Sequence, residues 1–258
     1  MAIERLQDDE ELRHFFASSP IRAAYQLGDL DDKYQPYCTW YGRREGGELS
    51  HVLLVYSGLS IPALLLLGPE HGAEELVQEV RSALPRTCFV QVQPEHKDIV
   101  HRVLGNGELR TMVRMGLERR NFRPDYDRGL VEPITHADTA SLMNLFRYYP
   151  DNFFEPYQLE SGLYFGIWEG GQLVSAAGVH VVSERFDVVA LGNIVTHPEY
   201  RSRGLAVACS SALLEQAFET VSLAALNTEK SNEAAYRSFA KVGFVEHCHF
   251  VEGQVELD

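Results

Sequence analysis

The feature that most narrows the fold is a change of residue period between positions 188 and 219. Val188 to Thr196 is a short, mostly apolar run of the kind that forms a buried strand. Leu205 to Glu219 is free of glycine and proline and reads as a helix. Between them, His197-Pro198 leads into Arg201-Ser-Arg203-Gly204-Leu205-Ala206, a loop closed by a glycine. A strand, loop and helix in this order need further strands to pack on, which points to an α+β (mixed α/β) fold.

The rest of the chain supplies them. Before residue 127 we expect a helix near Asp8 to Ala17, strands near Cys38 to Arg43, His51 to Tyr56, Ala63 to Leu67 and Cys88 to Gln93, and a helix over Gly72 to Ser82. Leu109 to Leu117 alternates apolar residues with Arg110, Met112 and Arg114, the pattern of a half-exposed strand. The polar stretch Arg119 to Arg128 contains a proline and suggests a boundary between residues 1–127 and 128–258. Its arginines fit a solvated surface better than a binding patch.

Beyond it come a strand at Leu130 to Pro133, a helix over Ala137 to Arg147 and an aromatic-rich loop from Tyr148 to Tyr157. Two strands flank the hairpin turn Glu169-Gly-Gly-Gln172. A strand at Ser222 to Leu226, a helix from Asn232 to Val242 ended by Gly243, and a strand from Phe244 towards Val251 complete the order.

Composition excludes several classes of function. The formal charge of -14 argues against duplex nucleic acid as a partner, since phosphate binding needs a concentrated positive surface. Residues 128–258 are the more acidic part, with 8 basic and 17 acidic residues against 15 and 20 in 1–127. The longest apolar stretch, His51 to Gly68, is interrupted by Ser57, Gly58, Ser60 and Pro62, so two strands explain it better than a membrane span. The opening residues are rich in Asp and Glu, which suggests no secretory leader and a cytoplasmic location. Cys38, Cys88, Cys209 and Cys248 are scattered without a CxxC pair, arguing against a zinc site or a disulfide framework. Cys209, spaced four from Leu205 and Leu213, reads as a buried small residue and not a nucleophile.

Where the strand gives way to the helix, unpaired N–H groups and the positive end of the helix dipole converge, and such a place binds anions. Gly204 and Ala206 carry little bulk, and Arg201 and Arg203 can add charge-assisted hydrogen bonds to a diphosphate. By itself this hexapeptide is equally an ordinary loop with exposed arginines. On the later helix, Asn232 and Tyr236 are four residues apart and share a face, from which a phenol can hand a proton to a leaving thiolate. Asn232 and Ser231 are also natural N-caps.

Together, Arg201-x-x-Gly204-x-Ala206, the preceding Val195-Thr-His-Pro198, and Asn232-x-x-Ala235-Tyr236 followed by Gly243-Phe244 resemble the Gcn5-related N-acetyltransferase (GNAT) superfamily over about Leu130 to Glu252. The stretch Tyr25 to Asp32 and the strand ending at Leu117 resemble, more loosely, the leading domain of two-domain members, which pair a degenerate domain with an active one. No second Arg-x-x-Gly-x-Gly/Ala occurs in residues 1–127, so no second cofactor site is expected there.

The resemblance implies that Arg201, Arg203, Gly204, Leu205 and Ala206 hold the pyrophosphate of acetyl-CoA or another short acyl-CoA. It implies that Val195, Thr196 and His197 line the pantetheine, with Asn227, Asn232 and Tyr236 completing the site. An amine of a small molecule or peptide would attack the acyl carbon directly, Tyr236 would protonate the departing sulfur, and no metal would take part. No general base identifies itself; Glu160, His180, Asn193 acting through water, and His197 are candidates. Phe153-Phe154-Glu-Pro-Tyr157 occupies the acceptor wall of similar proteins, or anchors its loop to the core. His247-Cys-His249 alternates like a metal site but has no further ligand nearby. A non-enzymatic acyl-CoA sensor is the alternative to an enzyme, and RNA binding through the arginines a weaker one. Oligomeric state stays open, with a homodimer as one option.

Overall fold

The computed structural model describes residues 2–150 and 152–257. In chain order its elements begin β1 (Ala2–Leu6), α1 (Asp9–Ala17), α2 (Ala24–Asp29), β2 (Cys38–Glu45), β3 (Glu48–Tyr56), β4 (Ala63–Leu67), α3 (Ala73–Val80), β5 (Thr87–Val92), α4 (Lys97–Ile99) and β6 (Arg110–Glu118). They continue β7 (Glu132–Pro133), α5 (Thr139–Phe146), β8 (Phe165–Glu169), β9 (Gln172–Ser183), β10 (Val188–Thr196), α6 (Leu205–Ala217), β11 (Leu223–Glu229), α7 (Glu233–Val242) and β12 (Val245–Glu256). The chain divides into two compact units, 1–114 with 248–258, and 115–247. The polar stretch around Asp127 thus falls inside the second unit: a surface connection is polar because water reaches it, whether or not a fold ends there.

In the first unit the strand order is β1-β2-β3-β4-β5-β12. β1 to β4 are antiparallel neighbours. β4 then runs parallel to β5, with α3 as the crossover, and β12 closes antiparallel on β5. β4 is five buried residues, Ala-Leu-Leu-Leu-Leu, bounded by Pro62 and Gly68, as expected of a strand covered on both faces. α3 places Ala73, Leu76, Val77 and Val80 on one face, and these meet Leu64, Leu66, Val90, Val92 and Val251 in the core.

The alternation in β6 misplaces one residue. Arg114 is fully buried, its guanidinium sandwiched 4.4 Å from the Tyr25 ring centroid and 4.3 Å from that of Phe250. It donates to the Arg22 carbonyl and to Gln91 Oε1, so a charge that alternation assigns to water is held by two rings and two acceptors. β1 and α2 carry no periodic signal strong enough to expect them from sequence: β1 is mostly exposed, and α2 is two turns buried on nearly every side.

In the second unit the order is β6-β11-β10-β9-β8-β7. β7 to β10 are antiparallel, and β10 is parallel to β11 with α6 between them. α6 packs across β8, β9 and β10. Cys209, fully buried on that helix, has its thiol pushed up to about 12 by burial, in keeping with a packing role. Three of the four arginines of the 119–128 stretch are engaged within this unit: Arg119 donates to the Phe218 carbonyl, Arg120 pairs with Glu118, and Arg128 pairs with Glu215. Among the described residues no helix is long and apolar enough to cross a membrane, and no His/Cys/Asp/Glu group is arranged to hold a metal ion.

Candidate active site

The site grows from a fault in the second unit's sheet. β10 pairs with β11 from Val188↔Leu223 to Leu191↔Leu226 only, although the strands continue to Thr196 and Glu229. On its other edge β10 stays paired with β9, through a register shift between Gly192 and Val195. Asn193 forms that bulge with φ 54°, a left-handed conformation that Asn tolerates better than most residues. Bulged and released from β11, the last residues of β10 leave one row of backbone groups without a strand partner, a natural seat for an extended amide-bearing ligand.

Val195, Thr196 and His197 end this strand. Ser175 Oγ lies 3.0 Å from the Val195 carbonyl and 2.9 Å from Thr196 Oγ1, and the Tyr149 hydroxyl donates to the Thr196 carbonyl. Arg201 Nη2 donates to the same tyrosine oxygen at 2.9 Å, so Arg201 braces the strand end. His197 is buried; its backbone N–H donates to Val174 and its Nδ1 accepts from the Glu199 N–H at 3.3 Å. That contact assigns the remaining proton of a neutral ring to Nε2 and occupies the Nδ1 lone pair.

α6 begins at Gly204, with φ 77° and no side-chain cap, and its first turn holds no acidic residue. A Cβ at Gly204 would meet nothing within 4 Å. The first-turn N–H groups, Leu205 and Ala206 among them, therefore open outward past an atom-free glycine. Arg203 lies exposed beside them, 4.8 Å over the Tyr200 ring and 3.6 Å from Glu169. An anionic diphosphate suits this corner in charge, donors and room.

The other expected residues lie on β11 and α7. Asn227 follows the last β10 pair on β11. Asn232 caps α7, its side chain accepting from the Ala235 N–H at 3.1 Å, so it has the structural role its position suggests. Tyr236 is half-buried one turn on, and its hydroxyl has no hydrogen-bond partner among the described residues.

Of the candidate bases, burial drives His180 down to about 4. Its ring rests where a side chain on Gly192 would stand, and it is a weak base at neutral pH. Glu160 is exposed. Phe154 packs against Phe146 at 5.1 Å and Tyr164 at 5.8 Å and anchors the loop from Tyr148 to Tyr157; Asp151 of that loop lies outside the described residues. The sequence signalled neither Tyr149, which ties Arg201 to β10, nor the buried Gln158 and Tyr164, because each acquires its role from a partner far along the chain.

Residues 132–244 match the model of the acetyltransferase (GNAT) family. This segment is a GNAT acetyltransferase domain. No curated protein matches the chain in sequence. Solved structures match its fold over nearly its whole length. A Drosophila protein aligns with TM-score 0.72 at 14% identity, covering 99% of this chain and 98% of that one. A GCN5-related N-acetyltransferase from Kribbella flavida aligns with TM-score 0.62 at 14% identity, covering 95% of each. A tandem GNAT protein from the clavulanic acid biosynthesis pathway gives 0.57 at 14% identity, covering 99% and 98%. The GNAT segment contains the bulged strand, the Gly204 corner and Tyr236.

Proposed function

We propose that the second unit transfers a short acyl group, acetyl in the first instance, from acyl-CoA to an amine of a small molecule or peptide. The observation that carries this reading is the conjunction of the β10–β11 parting with the uncapped, acid-free start of α6. Backbone groups of Val195, Thr196 and His197 would hold the pantetheine amides, and the N–H groups and side chains of Arg203, Gly204, Leu205 and Ala206 the pyrophosphate. Arg201 would steady the strand through Tyr149, with Asn227 and Asn232 bordering the thioester end.

In the reaction the amine nitrogen forms a bond to the acyl carbon and the carbon–sulfur bond breaks. One N–H proton leaves the nitrogen, and the sulfur gains one from Tyr236, which is reprotonated from solvent. The products are an amide and free CoA. Holding amine and thioester in line supplies much of the acceleration, and the tyrosine a smaller share. The full-length fold match to a tandem GNAT protein supports reading the first unit as a related domain, and the lack of a second Arg-x-x-Gly-x-Gly/Ala in residues 1–127 supports reading it as one without its own donor site.

Calorimetric titration of acetyl-CoA tests the reading. Wild type is expected to bind saturably, and the Arg203→Ala, Gly204→Glu double variant, confirmed as folded, to lose at least 100-fold in affinity. Wild type that binds neither acetyl-CoA, longer acyl-CoAs nor CoA overturns it. Tight binding with no CoA release across a broad amine panel would instead favour a sensor.

A further inference from the structure

Asn193 carries an atom that the fold leaves unused. The residue is 4% exposed, yet its Oδ1 is buried with no hydrogen-bond partner. Its Nδ2, in contrast, donates to Tyr164 Oη at 2.7 Å and to Gln158 Oε1 at 3.2 Å. A buried acceptor left empty costs stability, and such a cost persists where a ligand removes it.

The orientation of this amide follows from a chain of donors. The backbone N–H of Glu155 donates to Gln158 Oε1 at 3.1 Å, which fixes the Gln158 oxygen on that side. An oxygen there requires the NH₂ of Asn193 to face it. The Tyr164 hydroxyl accepts from the same NH₂ while its own proton goes to the Val179 carbonyl at 3.1 Å or Gln158 Oε1 at 3.3 Å, both of them acceptors. Both donors of Asn193 are therefore committed, and the group presented by the bulge of β10 is an acceptor. The residues that hold it, Gln158 and Tyr164, belong to or follow the 3₁₀ segment Pro156–Ser161, so the amide is anchored from the loop side and not from β11.

We infer that Asn193 Oδ1 accepts a hydrogen bond from the reacting N–H of the acyl acceptor and aims the nitrogen lone pair at the acyl carbon. This rests on the acyl-transfer reading above. A thioester carbonyl is itself an acceptor and cannot satisfy Oδ1, whereas a neutral primary amine keeps an N–H for it while its lone pair attacks. An amide oxygen does not take the proton; it holds the N–H through attack, and the proton passes on to water. Gln158 acts through Asn193 and is a positioning residue.

The test compares wild type, Asn193→Gly and Gln158→Leu. Glycine suits the left-handed backbone at 193, so the first variant removes Oδ1 without adding strain. Acetyl-CoA affinity is read by calorimetry, and CoA release is followed with glycine, putrescine, phenethylamine and a peptide bearing a free α-amino group. With any amine that wild type turns over, Asn193→Gly is expected to raise the amine KM about 10-fold or more while acetyl-CoA affinity stays within twofold. Gln158→Leu should raise it less, and add nothing in the Asn193→Gly background. An unchanged amine KM in Asn193→Gly overturns the inference and leaves acyl transfer standing. Equal loss of acetyl-CoA affinity overturns it too, since Oδ1 would then serve the donor or the fold. If Asn193→Gly does not fold, an unchanged amine KM in Gln158→Leu overturns it. If wild type binds acetyl-CoA but releases no CoA with any of these amines, the function reading fails. Titrating the same amines into the CoA-loaded proteins then decides Asn193 separately, with equal binding in wild type and Asn193→Gly counting against it.

Discussion

At the start of α6, Gly204 faces open space; at the start of α3, Gly72 faces the guanidinium of Arg43. Both glycines are N-caps in the left-handed region, at φ 77° and 86°, and both follow a strand that runs parallel to the next. The surroundings differ. β4 stays paired with β5 from Ala63↔Phe89 to Leu66↔Val92, with no parting like that beyond Leu191↔Leu226. α3 has Glu74 and Glu75 in its first turn, and Glu75 holds the buried Arg43 at 3.1 Å, so the helix end and the cation beside it are neutralised from within. α6 has no acid there and leaves its dipole for a ligand. The comparison teaches that a strand–loop–helix corner is left open to an anion by what is left out of it.

Removing what the second corner has and the first lacks gives the largest expected effect. The segment following β5, Lys97 to Leu104, contains no tyrosine, whereas α7 carries Tyr236. Tyr236→Phe should lower turnover about 100-fold with acetyl-CoA affinity nearly unchanged. Parallel losses in steady-state turnover and in calorimetric affinity would instead make Tyr236 a packing residue and narrow the contrast to its backbone.

A smaller effect separates the units by pH. His180, in the second unit, takes up its proton near pH 6.5 when unfolded but only at about 4 when native. Acidification from 6.5 to 4 therefore favours the unfolded chain, by about 2 kcal/mol once partial exposure is allowed for, and the loss levels off below that. In the first unit, burial raises the Asp29 carboxyl from 3.8 to about 8. Asp29 thus contributes stability that is complete below 3.8 and is lost as pH rises towards 8. Denaturant melts across pH should show His180→Gln flattening the acid limb and Asp29→Asn the alkaline one; identical profiles in all three proteins would remove this distinction.

Much of this architecture is written locally. Ala63 to Leu67 declares itself by an apolar run between a proline and a glycine, and the Gly204 corner by small residues between strand and helix periods. What stays hidden is made by partners distant in sequence. Asn193 reads only as one of four candidate bases until Gln158 and Tyr164 are seen to hold its amide, 35 and 29 residues away. Arg114 reads as solvent-facing until Tyr25 and Phe250 enclose it. Arg43 gives no sign in the sequence that it will occupy the corner before α3, since its partner Glu75 is 32 residues on. Periodicity reports which face is apolar, and says nothing of which polar groups the fold will pair inside.

The smallest effect tests the contrast at its origin. Alanine at either N-cap glycine must adopt a left-handed backbone, which costs roughly 1 kcal/mol. At Gly204 nothing else opposes the new methyl, so stability should fall by that amount alone while a ligand approaching the helix start loses room. At Gly72 the methyl overlaps the Arg43 guanidinium, which is 2% exposed and tied to Glu75, and cannot swing into water without breaking that pair. Gly72→Ala should therefore cost about 1 kcal/mol more than Gly204→Ala in denaturant melts, with no change in acetyl-CoA binding. In an Arg43→Ala background the excess should vanish, because the atom it collides with is gone, and a double-mutant cycle reads that coupling directly. Clearing the corner should still create no acetyl-CoA site in the first unit, since β4 and β5 remain paired to Val92 and offer no free strand edge. Were Arg43→Ala to bind a second equivalent of acetyl-CoA, the parting of the strands would cease to be a requirement, and the arginine alone would account for the silence of the first unit.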